Sequence, residues 1–148
     1  MTSAWPKVTK TATYRFRAWH DLAGKTIHPD AAEPHEHDWV VTLTWEDWEV
    51  RPDKGFTRDE PEIGASWGRR IAELEGVNLN SLMPVAPTAE NMAMWLLFDW
   101  LTHLSPVEMN YEVTRCRVAK CGTYTAEVHR TQRKRWDAFL EDMKQRSE

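Results

Sequence analysis

Two long runs near the start of the chain alternate apolar and polar residues, which predicts two β-strands. The first run extends from Lys7 to His20 and the second from His35 to about Val50. Because residues i and i+2 of a strand lie on the same face, His20 ends the apolar face of the first strand. His35 and His37 begin the apolar face of the second strand. Histidine is a common metal ligand, so the ends of both strands are candidate metal-binding positions.

The middle of the chain has helical periodicity. Apolar residues from Glu62 to Leu74 recur at intervals of four, four and three residues, which predicts one amphipathic helix that ends at Gly76. Thr88 is a good N-cap for a second helix, and Glu90 lies in its first turn, where the helix dipole favours a negative charge. Pro106 is expected to end this second helix.

Two more strands and a helix complete the predicted order. The strands extend from Tyr111 to Lys120 and from Thr123 to His129, and an amphipathic helix follows from Thr131 to about Arg146. Strands that follow one another in this way pair most easily as antiparallel hairpins, with helices on one face. We therefore predict a single α+β domain over residues 1–148, with residues 131–148 as a C-terminal helical extension.

Charge and hydropathy exclude several classes of protein. The chain has 19 basic and 23 acidic residues, a balance that argues against a nucleic-acid-binding protein. It contains no apolar run of about 18 residues, so we expect no membrane-spanning helix. The first residues lack the basic end followed by an apolar stretch that is typical of a signal peptide, so we expect none, and we expect a cytoplasmic protein.

Three short segments, taken together, resemble a known family. They are Phe16-Arg17-Ala18-Trp19-His20, His35-Glu36-His37-Asp38-Trp39, and Leu79-Asn80 followed by Pro87-Thr88-Ala89-Glu90-Asn91. The combination resembles the 6-pyruvoyl-tetrahydropterin synthase family, which includes the 6-carboxy-tetrahydropterin synthases, over roughly residues 13–128. The resemblance implies the tunnelling fold, a four-stranded antiparallel sheet with two helices between strands 2 and 3. It also implies a small-molecule substrate and a homo-oligomer, trimer-based or larger, with active sites between subunits.

The resemblance also implies a zinc site. In the family, three histidines at matching positions bind a catalytic zinc ion, which here gives His20, His35 and His37 as ligands. Three neutral imidazoles leave the fourth position of a tetrahedral zinc ion open for water or a substrate oxygen. Any one of these histidines alone would more often be an ordinary buried or exposed residue, but the set of three favours the metal site.

The family's catalytic residues are not all kept. The loop before His35 lacks the family's general-base cysteine and carries His28 and Asp30 instead. Where the family has an Asp-His pair before Leu79, this chain has Glu75 followed by glycine. His28, Asp30 and Glu75 are therefore the candidate general acids or bases.

The residues expected to contact the substrate differ as well. Lys120 matches the position of the family's pterin-binding glutamate, and a cation there suits an anionic ligand instead of the pterin's donor edge. The alternative is an ordinary lysine at a strand end. Thr88 and Glu90 match positions that hold the pterin ring in the family, although helix capping alone also accounts for both.

Three functions are compatible with this pattern. The first is a zinc-dependent lyase or cyclase, or an isomerase, that acts on a changed substrate in a specialised biosynthetic pathway; in one variant, Lys120 forms an imine with that substrate. The second is a catalytically inactive binding or assembly protein that keeps zinc for its structure. The third is an authentic pterin enzyme with exchanged residues, which the charge reversal at Lys120 makes the weakest of the three.

Overall fold

One antiparallel sheet is the framework of the molecule. The computed structural model of the 148-residue chain describes residues 8–24, 32–47, 67–101, 111–120 and 124–146. In chain order the elements are β1 (Val8–His20), β2 (His35–Asp47), α1 (residues 67–72), α2 (Leu79–Leu82), α3 (Ala89–Trp95), a π-helical turn (Leu96–Trp100), β3 (Tyr111–Lys120), β4 (Tyr124–His129), a 3₁₀ turn (Arg130–Gln132) and α4 (Arg133–Arg146). The strands lie in the order β1-β2-β3-β4, so the predicted α+β fold is confirmed.

The sheet has one apolar face, and the register of the strands keeps it continuous. Phe16 lies opposite Trp39, Val41 opposite Val118, and both members of each pair are buried. The other face is polar; on it Arg17 forms ion pairs with two carboxylates of β2. Because cross-strand neighbours share a face, the histidines that continue the apolar face of β1 and β2 must lie on the side that the helices cover.

Helix α1 covers the part of the sheet far from these histidines. Trp67 packs against Trp45 with 4.9 Å between ring centroids, and the absence of a side chain at Gly68 lets the ring of Tyr14 approach closely. The predicted stripe is confirmed where it is described, because Trp67, Ile71 and Leu74 are buried. The helix ends at residue 72, two residues earlier than predicted, in a turn over residues 73–76.

The segment after this turn lies along the outer edge of β1. The N–H of Gly76 donates to the carbonyl of Arg17 at 2.7 Å, and the N–H of Trp19 donates to the carbonyl of Val77 at 2.8 Å. The one-turn helix α2 follows, capped by the side chain of Asn78. The sequence analysis did not predict α2, since four residues are too few for a helical period to show.

The second predicted helix begins as expected and then changes from α-helical to π-helical geometry. Its N-cap is Thr88, but after α3 the chain continues as a π-helical turn, closed by a bond of 2.9 Å from the N–H of Leu101 to the carbonyl of Leu96. Two arginines bind carbonyls of this turn: Arg133 reaches the carbonyl of Phe98 at 2.8 Å, and Arg70 reaches that of Trp100 at 3.3 Å. These bonds satisfy two of the carbonyls that the end of a helix leaves without an intrahelical partner.

Helix α4 packs against the domain through Trp136, with Leu140 and Met143 partly buried beside it. Trp136 is buried, and its indole N–H donates to Asp99 at 2.9 Å. Phe139, which the apolar stripe placed on the same face, is 41% exposed.

Among the described residues, no helix is long and apolar enough to span a membrane.

The burial of Trp136 predicts that it anchors α4. Trp136→Ala should lower the free energy of unfolding by about 3–5 kcal/mol, because it leaves a cavity and removes the partner of Asp99. Phe139→Ala, an exposed aromatic residue of the same helix, should cost about 1 kcal/mol or less. Urea unfolding of both variants measures the difference, and equal losses would contradict the anchoring role.

Candidate metal centre

Three imidazoles meet where the β1–β2 ladder ends. His20 and His35 are the last pair of this ladder, and His37 lies opposite Ala18 one pair further in, on the same face. The ring centroid of His20 lies 4.5 Å from that of His35 and 4.9 Å from that of His37. Each imidazole offers one ligand atom, and the three atoms lie within 4.8 Å of one another. The group can therefore hold a metal ion.

Backbone carbonyls orient two of the rings. Nδ1 of His20 lies 2.8 Å from the carbonyl of Pro87, and Nδ1 of His35 lies 2.7 Å from that of Glu33. A carbonyl oxygen only accepts, so each Nδ1 carries the proton and each Nε2 presents a lone pair. Metal-binding histidines characteristically donate their second ring N–H in this way.

An unsatisfied nitrogen of His20 is a second reason why these residues suit a metal ion. Nε2 of His20 is buried and has no hydrogen-bond partner among the described residues. Such an atom costs about 1–3 kcal/mol when it is left unsatisfied. A divalent cation within reach of the three lone pairs would supply the missing partner. Zinc suits this all-nitrogen set of neutral ligands.

The local environment lowers the pKa of two of the three imidazoles, those of His20 and His37. Burial lowers the pKa of His20, and the neighbouring His35 and Lys120 lower it further, although the bond to Pro87 acts in the opposite direction. Burial, His20, His35 and Lys120 together lower the pKa of His37 to about 4. Neutral imidazole is the form that binds metal. Both lone pairs are therefore available near pH 7.

Trp39 closes the inner side of the group. Its ring stands edge-on to that of His20 at 5.2 Å and to that of His37 at 5.9 Å, and the residue is completely buried. An apolar wall of this kind limits the access of water from the core and fixes the ring orientations. Among the described residues, Trp39 thus bounds the site on the side of the core.

Lys120 lies on the same face and at the same end of the sheet. It is the last residue of β3 and is paired with Trp39 of β2 and with Tyr124 of β4. Its charge acts on His20 and His37, where it lowers both pKa values. The structure places Lys120 on the face and at the strand end of the histidines, and the residue is partly buried. Its role toward a ligand stays a prediction.

Thr88 and Glu90 occupy the start of α3, next to the same strand end. The hydroxyl of Thr88 accepts a hydrogen bond from the N–H of Asn91 at 3.1 Å, so Thr88 is the helix cap. Oε2 of Glu90 accepts a bond of 2.7 Å from the hydroxyl of Tyr124. The sequence analysis missed Tyr124. It could have been found as the first residue of β4, which a tight turn after β3 would pair with Lys120.

The candidate acids and bases lie apart from this group or outside the description. The structure does not bring Glu75 to the imidazoles. Its Oε2 accepts a bond of 2.5 Å from the backbone N–H of Arg17, at the outer edge of β1. There it lines a cavity of about 300 Å³ together with Arg15 and Asp38 of the polar face. His28 and Asp30 lie outside the described residues, and all three roles stay predictions.

Comparisons with known proteins agree with the fold. The sequence profile of the 6-pyruvoyl tetrahydropterin synthase family matches residues 8–131. A Caenorhabditis elegans 6-pyruvoyl tetrahydropterin synthase superimposes with a TM-score of 0.67 at 17% identity, over 84% of this chain and 96% of that one. No curated protein matches the chain in sequence.

Two other solved structures are similar. A catalytic-residue mutant of the Plasmodium vivax 6-pyruvoyltetrahydropterin synthase gives a TM-score of 0.63 at 12% identity, over 84% of this chain and 98% of that one. An uncharacterized protein from Wolinella succinogenes gives 0.62 at 14% identity, over 84% and 99%. At these identities the structural likeness shows the fold, and the four-stranded sheet with its helices is the tunnelling fold that the sequence predicted.

The hydrogen bond at the start of α3 predicts a capping role for Thr88. Thr88→Ala should lower the free energy of unfolding by about 1 kcal/mol, because the N–H of Asn91 loses its acceptor. Thr88→Ser keeps a hydroxyl at this position and should restore most of the loss. Chemical denaturation of the three proteins tests this, and an alanine variant as stable as the parent would show that the cap contributes nothing.

Proposed function

The chain belongs to the 6-pyruvoyl tetrahydropterin synthase family, and on that premise we propose that it is a zinc-dependent enzyme of lyase or cyclase type whose substrate is an anion instead of a pterin. The observation that carries the proposal is the buried Nε2 of His20, which has no hydrogen-bond partner in the described part of the chain and lies beside two further imidazoles. Membership of a family of lyases supports the reaction type only at that coarse level.

In this proposal His20, His35 and His37 hold the zinc ion. Such an ion would supply Lewis acidity, which would polarise a substrate oxygen and acidify an adjacent C–H. The protein's own contribution is orientation: the carbonyls of Pro87 and Glu33 fix the rings of two ligands, and Trp39 screens the inner side. A group held this firmly needs little rearrangement when the ligand binds.

Lys120 is proposed to select the substrate. Its ammonium group shares the face and the strand end of the histidines, and its field acts on two of them. This ammonium group would attract a carboxylate or phosphate, and the attraction grows as less solvent screens the charge. The same charge opposes a ligand whose edge consists of hydrogen-bond donors. Thr88 and Glu90, at the start of α3, are proposed to contact the ligand from the helix side.

Proton transfer is assigned to the residues that replace the family's cysteine and Asp-His pair. His28 and Asp30 are the proposed acid and base from the loop between β1 and β2. Glu75 remains a third candidate, but its carboxylate would first have to leave the backbone N–H of Arg17. Both the assembly into a homo-oligomer with sites between subunits and the cytoplasmic location stay predictions.

A second candidate function is a catalytically inactive binding or assembly protein with the same fold. The observation that favours it is the engagement of Glu75 with the edge of β1, which leaves no carboxylate from that position at the histidines. An open zinc site argues against it, because structural zinc ions usually have four protein ligands. Turnover of any anionic substrate by the zinc-loaded protein would decide between the two.

The first prediction of this proposal concerns metal content. Freshly purified protein should contain about one divalent ion, mainly zinc, per chain, and either His20→Ala or His37→Ala should lose it. His129→Ala is the matched control, since His129 bonds to Thr131 at the other end of β4 and should retain the metal. Elemental analysis with circular dichroism as a check on folding measures this. If the wild-type protein contains no metal, or if both ligand variants retain the ion, the proposed metal site is refuted.

The second prediction concerns the family's substrate. Incubation of the zinc-loaded protein with dihydroneopterin triphosphate should give no product, because Lys120 places a positive charge where the family binds the pterin with a glutamate. Chromatography of the reaction mixture over several hours detects turnover, with a pterin-converting member of the family as the positive control. Brisk conversion would overturn the changed-substrate proposal and support an authentic pterin enzyme.

A further inference from the structure

We propose that Tyr124 is a positioning residue of this site, which holds the Glu90 carboxylate away from Lys120 and so keeps the ammonium group free to bind an anionic ligand. The inference rests on the proposed function, because it concerns the oxyanion that Lys120 is proposed to bind. It adds a residue that neither the sequence motifs nor the likeness to the family picks out.

A continuous set of contacts connects these residues to the histidines. The ring of His20 bonds to the carbonyl of Pro87, directly before the cap of α3, and Glu90 follows in the first turn of that helix. The carboxylate of Glu90 reaches the phenol of Tyr124, which pairs with Lys120 at the end of the β3–β4 ladder. The charge of Lys120 in turn acts on His20. Glu90, Tyr124 and Lys120 therefore surround one end of the histidine group.

Glu90 is the natural competitor for Lys120. Both side chains are long and flexible and approach the same strand end, one from α3 and the other from β3. Opposite charges in such a place attract each other, yet no carboxylate among the described residues forms an ion pair with Lys120. Instead Glu90 accepts the hydrogen bond from Tyr124 at 2.7 Å. The hydrogen bond raises the pKa of the Tyr124 phenol, as expected for a donor that stays protonated beside a carboxylate.

The consequence is a site with two separate charges. Lys120 presents a cation to the ligand, and Glu90, held by a neutral phenol, presents an acceptor on the helix side. Without the phenol, Glu90 would gain freedom to neutralise Lys120, and a ligand anion would then have to displace it. Tyr124 thus acts on the ligand through Glu90, and its 48% exposure makes its replacement by phenylalanine mild for the fold.

Oxyanion binding to the zinc-loaded protein, freed of excess metal, tests this role. The probes are inorganic phosphate and acetate, which separate a phosphate-binding site from a carboxylate-binding site, and affinities come from NMR titration. Tyr124→Phe should weaken the binding of the preferred probe about two- to fivefold, the effect of one competing exposed ion pair. In the Glu90→Gln background the same Tyr124→Phe change should have no effect, because the competing charge is gone.

Two controls separate the possible failures. Tyr14→Phe removes a phenol from the middle of β1 on the same face of the sheet and should leave the affinities unchanged. Lys120→Gln should weaken binding about tenfold, as the loss of a charged hydrogen-bond donor does. If Lys120→Gln binds the probes as the wild type does, or the wild type binds neither, the anionic-substrate proposal fails and this inference with it. If Lys120→Gln weakens binding but Tyr124→Phe does not, or weakens it equally in both backgrounds, only the role of Tyr124 is refuted.

Discussion

The cross-strand pair of His20 with His35 is the constraint on which the site depends. A slip of one residue in the β1–β2 register would send every side chain of one strand to the opposite face. The register is fixed by the core, where Phe16 lies opposite Trp39. Hydrophobic packing in the core therefore determines that the imidazoles converge at the end of the ladder, where two carbonyl bonds and the ring of Trp39 orient them.

This arrangement has a cost in the metal-free protein. Among the described residues, the buried Nε2 of His20 has no partner, and burial disfavours the imidazolium form that would otherwise bind water or an anion. A ligand that binds only the folded chain offsets such a cost by an amount that grows with the logarithm of the ratio of free ligand to its Kd. The core around Trp39 thus holds the histidines in an arrangement that a bound cation would stabilise, as expected for a preorganised functional site.

Local signals made much of the fold predictable. Alternation located β1 to β4, and the cap at Thr88 located the start of α3, because both depend on residues near in sequence. The π-helical turn after Trp95 was not predictable, since its carbonyls are bound by Arg70 and Arg133 from distant segments. Tyr124 was missed for the same reason: its partner Glu90 comes from another element. The sequence pattern placed Lys120 at the end of a strand. That it lies on the same face as the histidines became clear only from the pairing of β3 with β2.

The charges at this end of the sheet explain why metal and substrate are expected to bind together. The field of Lys120 disfavours protonation of His20 and His37, and it must disfavour a divalent cation at the same nitrogens for the same reason. With metal bound, the site would hold two positive centres, and on our proposal Tyr124 keeps Glu90 from neutralising one of them. An anionic ligand would relieve that repulsion. Because coupling between two ligands is reciprocal, such an anion would tighten the metal as much as the metal would tighten the anion, so a cation at this strand end would act on both the specificity and the affinity of the proposed centre.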